Sequence, residues 1–95
     1  MKEFLKIVEN TNPETANAIL DLIDEIKEAR KNWPGFYNAH EGFAVLHEEF
    51  DELKAHVWIR QDKRDLTAMR SEAIQVAAMA IRFATEVCSE EKGRK

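Results

Sequence analysis

Ala73-Ile74-Gln75-Val76-Ala77-Ala78-Met79-Ala80-Ile81-Arg82-Phe83-Ala84 contains two strongly polar residues, Gln75 and Arg82. Extended at both ends, the stretch predicts a helix from about Leu66 to Val87. A helix that is apolar nearly all round has to be buried on nearly all sides. Its five alanines, Ala73, Ala77, Ala78, Ala80 and Ala84, permit close helix approach. The rest of a 95-residue chain is too short to cover it, so a second copy of the chain is the expected partner.

Upstream, Phe43, Leu46, Phe50, Leu53 and Val57 recur at three- and four-residue steps, which predicts another helix with these as its apolar stripe. Asn38 followed by Glu41 resembles a capping box at its start. Gln61-Asp62-Lys63-Arg64 is the polar connection to the apolar helix, with Lys63 and Arg64 expected in solvent and Asp62 or Asp65 as the next cap. Further upstream, Thr11 or Asn12 can cap a helix opening at Pro13. Its stripe is Ala16, Ile19, Ile23, Ile26 and Ala29, with Asp21, Asp24, Glu25 and Glu28 largely off it. Pro34-Gly35 ends that helix, and Phe4 to Val8 is a short helix or turn packed on the body. Long helices joined by short loops predict an all-α fold, an antiparallel helical bundle in a single domain, completed by homo-oligomerisation as a dimer or tetramer.

The bulk properties agree with that fold. A chain of 95 residues with 44% hydrophobic and 34% charged residues is globular and not disordered. At this length folding buries only about 60–65% of the unfolded surface, which favours self-association. The net charge of −4 argues against nucleic-acid or anionic-membrane partners and fits a protein whose carboxylates hold cations. The lone cysteine, Cys88, has no intrachain partner, and it is expected as a buried small residue at a helix end. With no apolar run of 18 residues and no signal-peptide shape at the start, the chain is expected to be cytoplasmic.

The carboxylates are not equivalent. At 100° per residue, Glu49 and Glu52 lie on the edge of the apolar stripe and His56 continues that edge, while Glu48 and Asp51 point towards solvent. On the apolar helix, Glu72 and Gln75 have the same three-residue spacing on its narrow polar margin. If the two helices pack antiparallel, the two pairs face each other. Converging carboxylates repel unless protons or a cation intervene. Oxygen ligands of this kind suit Mg²⁺ or Mn²⁺, and the chemistry that follows is metal-assisted phosphate hydrolysis. The bland alternative is that glutamates at this spacing form a solvated helix face.

Glu49-Phe50-Asp51-Glu52-Leu53, followed by Arg70-Ser71-Glu72-Ala73-Ile74-Gln75-Val76, resembles the paired ExxE and ExxD motifs of MazG-like all-α nucleoside triphosphate pyrophosphatases. The stretch from His40 to Phe83, about half the chain, is most similar to small phage- or integron-borne members. The resemblance implies helical dimers or tetramers that use Mg²⁺ to cleave nucleoside triphosphates to the monophosphate and pyrophosphate. By position, Glu49, Glu52 and Glu72 would be catalytic metal ligands, with Glu48 a further ligand or acceptor. Gln75 stands where the pattern has Asp. A neutral amide is a poorer ligand. Either Gln75 supports a water or the substrate, or the chain is a non-catalytic helical oligomer serving as a nucleotide-binding or regulatory module. Triphosphate oxygens would need cations, for which Lys54, Arg70 and Arg82 are candidates; Arg82 equally suits an ion pair with Glu86. Trp33 and Tyr37, with Phe36, would supply a flat wall for the base or else pack in the core or an interface. His56 would order Glu52 or be a plain surface residue.

Overall fold

The computed structural model describes residues 2–88. They form four α-helices and, among the described residues, no strand: α1 Lys2–Glu9, α2 Pro13–Asn32, α3 Ala39–Val57 and α4 Leu66–Arg82. A 3₁₀ turn, Gln61–Lys63, lies between α3 and α4, and a π-helical turn, Phe83–Val87, continues α4. No helix among the described residues is long and apolar enough to cross a membrane.

Local chemistry sets the boundaries. The Asn12 side chain accepts from the Thr15 amide at 2.8 Å and opens α2 at Pro13. Asn38 accepts from the Glu41 amide at 2.9 Å and opens α3. The return bond of a capping box is shifted by one residue, since Glu41 Oε1 accepts from the Tyr37 amide and not from that of Asn38. Asp65 accepts from the Ala68 amide and opens α4. Arg64 was expected in solvent. Instead its guanidinium donates twice to the Val57 carbonyl, at 3.1 and 3.0 Å, satisfying an orphan acceptor at the C-terminal end of α3.

α4 is the central helix. It packs on α3 along one flank and on α2 along the other, while α2 and α3 scarcely meet. Arg64 beside Val57 marks one end of the α3–α4 pair, and Gly42 against Phe83 marks the other, so the pair is antiparallel. Arg70 bonds Asp21 and Arg82 bonds the Pro34 carbonyl, so α2 runs parallel to α4. The result is a slab of 46 × 36 × 20 Å, about two helix diameters thick.

The packing departs from the expected stripes in one important respect. Phe43 and Phe50 are 61% and 53% exposed. The line of α3 that faces α4 is instead Gly42, Val45, Leu46, Glu49 and Leu53, all buried or half-buried. α3 is rotated so that a glutamate, and not its largest apolar side chains, sits on the packed seam. Gly42 is required there, because a Cβ would stand 2.8 Å from Phe83 Cδ2 and 3.1 Å from Phe36 Cδ2. Among the described residues the buried apolar side chains are Phe36, Ala78, Met79 and Val87. Cys88, expected to be buried, is exposed.

Candidate metal centre and the cleft beside it

The rotation of α3 places Glu49 and Glu52 opposite Glu72. One carboxylate oxygen from each of the three lies within 4.8 Å of the others. Glu49 and Glu72 are half-buried and Glu52 is exposed. The Oε2 atoms of Glu49 and Glu72 are buried from solvent and have no hydrogen-bond partner. A buried acceptor without a partner costs about 1–3 kcal/mol, so this arrangement is unfavourable for three bare carboxylates.

The electrostatics express the same strain. Burial, then the charges of Glu52 and Glu72, push the Glu49 pKa up to about 7. Glu72 is also raised, by burial first and by Glu52 second, with the nearby His56 imidazole acting in the opposite direction. Protons or a cation relieve a cluster of this kind. A hard divalent cation fits the donor set, because Glu49 and Glu72 each hold a buried oxygen without a partner and Glu52 completes the set from solvent.

Glu49 also lines a cleft of about 660 Å³ between α2 and α3, floored by α4. Its other carboxylates are Glu25 and Glu28 from α2 and Glu41 and Glu48 from α3. Its apolar surface comes from Trp33, Phe36, Val45 and Met79, and Gln75 lies in the floor. Glu52 and Glu72 are not in its lining, so the triad sits at the cleft's edge and shares Glu49 with it.

The candidate cations are placed otherwise. Arg82 borders the cleft but is 1% exposed. Its Nε donates to Glu86 Oε2 at 2.8 Å, and its Nη2 donates to Glu86 Oε1 and to the Pro34 carbonyl, both at 3.1 Å. The guanidinium also stacks over Phe36 at 4.6 Å. This is the ion pair, the other of the two expected roles. Arg70 pairs with Asp21 at 2.8 Å, and Lys54 lies 5.9 Å over the Trp58 ring; neither lines the cleft. Trp33 lines it while 66% exposed, and Tyr37, 78% exposed, does not.

Sequence reasoning missed Glu25 and Glu28 as cleft residues. Their three-residue spacing, the same as that of Glu49 and Glu52, was the available signal. It also missed the Phe36 amide, which donates to Glu86 Oε1 at 2.9 Å and ties the loop to the end of α4. Comparison with protein-family models, curated proteins and solved structures finds no match to this chain.

Proposed function

We propose that this chain is a Mg²⁺-dependent nucleoside triphosphate pyrophosphohydrolase of MazG-like type, working as a homo-oligomer, with Mn²⁺ as an alternative ion. The observation that supports this most is the convergence of Glu49, Glu52 and Glu72 with two buried, unpartnered oxygens. These three carboxylates would hold the cation. When bound, it supplies charge neutralisation for phosphate oxygens and a lowered pKa for water.

The chain's own groups divide the remaining work. The cleft volume of about 660 Å³ lies within the range of small-molecule sites. Trp33 offers an apolar wall for a base at its loop end. The Gln75 amide can donate to a water or a phosphate oxygen and accept from a water. The cleft's carboxylates repel a bare triphosphate, and Arg82, the one cation that borders it among the described residues, is already committed to Glu86. A divalent cation would therefore be essential for triphosphate binding here, and chelation should abolish turnover.

The test is a panel of NTPs and dNTPs with Mg²⁺, scored for pyrophosphate release. Release is expected from at least one of them, and Glu49→Gln and Glu72→Gln should each abolish it. No release from any nucleotide at high protein concentration overturns the hydrolase reading. One observation favours a second reading, a nucleotide-binding or regulatory module without turnover: Gln75 gives the floor a neutral amide where a fourth carboxylate would complete the motif. Metal-dependent nucleotide binding without pyrophosphate release would select it.

A further inference from the structure

From the end of α4 and the turn that follows it, Arg82 and Glu86 reach across to the loop between α2 and α3. Arg82 Nη2 donates to the Pro34 carbonyl at 3.1 Å, and Glu86 Oε1 accepts from the Phe36 amide at 2.9 Å. The same guanidinium stacks on the Phe36 ring and is locked to Glu86 by bonds of 2.8 and 3.1 Å. The two tethered backbone groups flank Gly35, the loop residue with the most freedom to move. Apolar residues of like volume stabilise a fold as well as a buried charged pair does. What they cannot do is hold a carbonyl and an amide at once. The turn that carries Glu86 is also irregular. Phe83–Val87 is π-wound, and the Cys88 amide donates to the Phe83 carbonyl at 3.2 Å. Single π-turns of this kind are frequent at functional sites.

The residue that these tethers hold in place is Trp33. Its amide donates to the Ala29 carbonyl at 2.9 Å and closes α2. Pro34, whose φ is fixed by its ring, follows it, and the Pro34 carbonyl is bonded to Arg82. The Trp33 indole is exposed and lines the cleft, whereas Phe36 is buried and packs towards Gly42 of α3. The metal triad lies elsewhere: along α4, Glu72 and Arg82 stand about 15 Å apart.

We infer that Arg82 and Glu86 are positioning residues for the nucleoside end of the cleft, fixing the loop so that Trp33 stands as its wall without themselves touching the ligand. The inference rests on the proposed function for the identity of what Trp33 meets; the fixing of Trp33 stands without it. An aromatic wall already held in place needs no ordering when a ring docks on it. Releasing the loop weakens the hold on a base equally in the ground and transition states, and leaves the triad as it was.

The test is the double variant Arg82→Met with Glu86→Leu, which keeps the buried volume while removing both tethers. With the best nucleotide of the panel and Mg²⁺, KM should rise about tenfold, the equivalent of roughly one net hydrogen bond. The kcat should stay within about twofold, as expected when uniform binding is lost. Mn²⁺ alone should bind with unchanged affinity. Arg82→Lys keeps a cation beside Glu86 but lacks the fork that also reaches the Pro34 carbonyl, so it should raise KM in the same direction and by less. An unchanged KM in both variants overturns the inference, as does a fall in kcat without a rise in KM. So does an Mn²⁺ affinity that falls in step with KM, since the variants would then have loosened the whole fold.

Trp33 also reports without any ligand. In a Trp58→Phe background it is the one tryptophan of the chain. Its fluorescence anisotropy decay should gain a larger fast component in the double variant than in the parent. Asp21→Asn, which breaks the pair with Arg70 between α2 and α4, is the control and should leave that component unchanged. Equal decays for the double variant and its parent, or the same gain for Asp21→Asn, overturn the inference. If no nucleotide released pyrophosphate, the hydrolase reading alone would fall, because the anisotropy would still decide this one.

Discussion

At the scale of single residues, Glu49 has the clearest consequence. With its pKa raised to about 7, the folded metal-free protein holds a proton there that the unfolded chain releases near 4.5. Folding therefore binds a proton between those values, and stability falls as pH rises through the window. Metal-free protein should be less stable at pH 8 than at pH 5, read from the midpoint of urea unfolding. Mg²⁺ or Mn²⁺ should restore stability at pH 8 and release protons on binding near pH 6.5, which calorimetry in buffers of different ionisation enthalpy would detect. Gln75→Asp should tighten metal binding; an unchanged affinity would place Gln75 outside the ligand set. Arg82 is held by packing and charge together. Arg82→Met removes the guanidinium that pairs with part-buried Glu86 and should cost about 3–5 kcal/mol in thermal or denaturant unfolding. Adding Glu86→Gln should recover part of that loss.

At the scale of elements, helix boundaries follow from residues close in the chain. Asn12, Asn38 and Asp65 each cap within three residues, and such signals are legible without a structure. Asn38→Ala should cost about 1 kcal/mol and fray the start of α3, seen as faster amide exchange there. The three-residue spacing of Glu49 and Glu52 was legible too, as was their meeting with Glu72 once the helices were taken as antiparallel. The rotation of α3 was not. An apolar pattern records that a face is covered, not by which partner, so Phe43 and Phe50 were assigned to the seam that Gly42, Glu49 and Leu53 occupy. Gly42 is the residue that shows the true seam. Gly42→Ala should cost about 1–3 kcal/mol, because its new methyl group meets the Phe83 and Phe36 rings.

At the scale of the whole molecule, the slab explains why an almost wholly apolar α4 was such an informative signal. Two flanking helices cover its two flanks, and the homo-oligomer proposed above would supply the further cover that its apolar composition led us to expect. The melting temperature should consequently rise with protein concentration, by mass action, over a hundredfold dilution series monitored by circular dichroism. A concentration-independent value would mean that the slab is stable by itself. The arginine assignments were the least legible part at this scale. Asp21 and Pro34, the partners of Arg70 and Arg82, lie about 50 residues away along the chain, beyond the reach of any local pattern.

That same distance governs the order in which the molecule can be built. The loop between α2 and α3 is anchored through the Pro34 carbonyl and the Phe36 amide, whose partners lie 48 and 50 residues further on. During synthesis from the N-terminus, α2 and α3 emerge with that loop untethered. The aromatic end of the cleft acquires its shape only when the final turn, carrying Arg82 and Glu86, leaves the ribosome. A nascent chain halted before Arg82 should therefore expose Phe36 to chaperones and proteases, whereas one that has added Arg82 and Glu86 buries it.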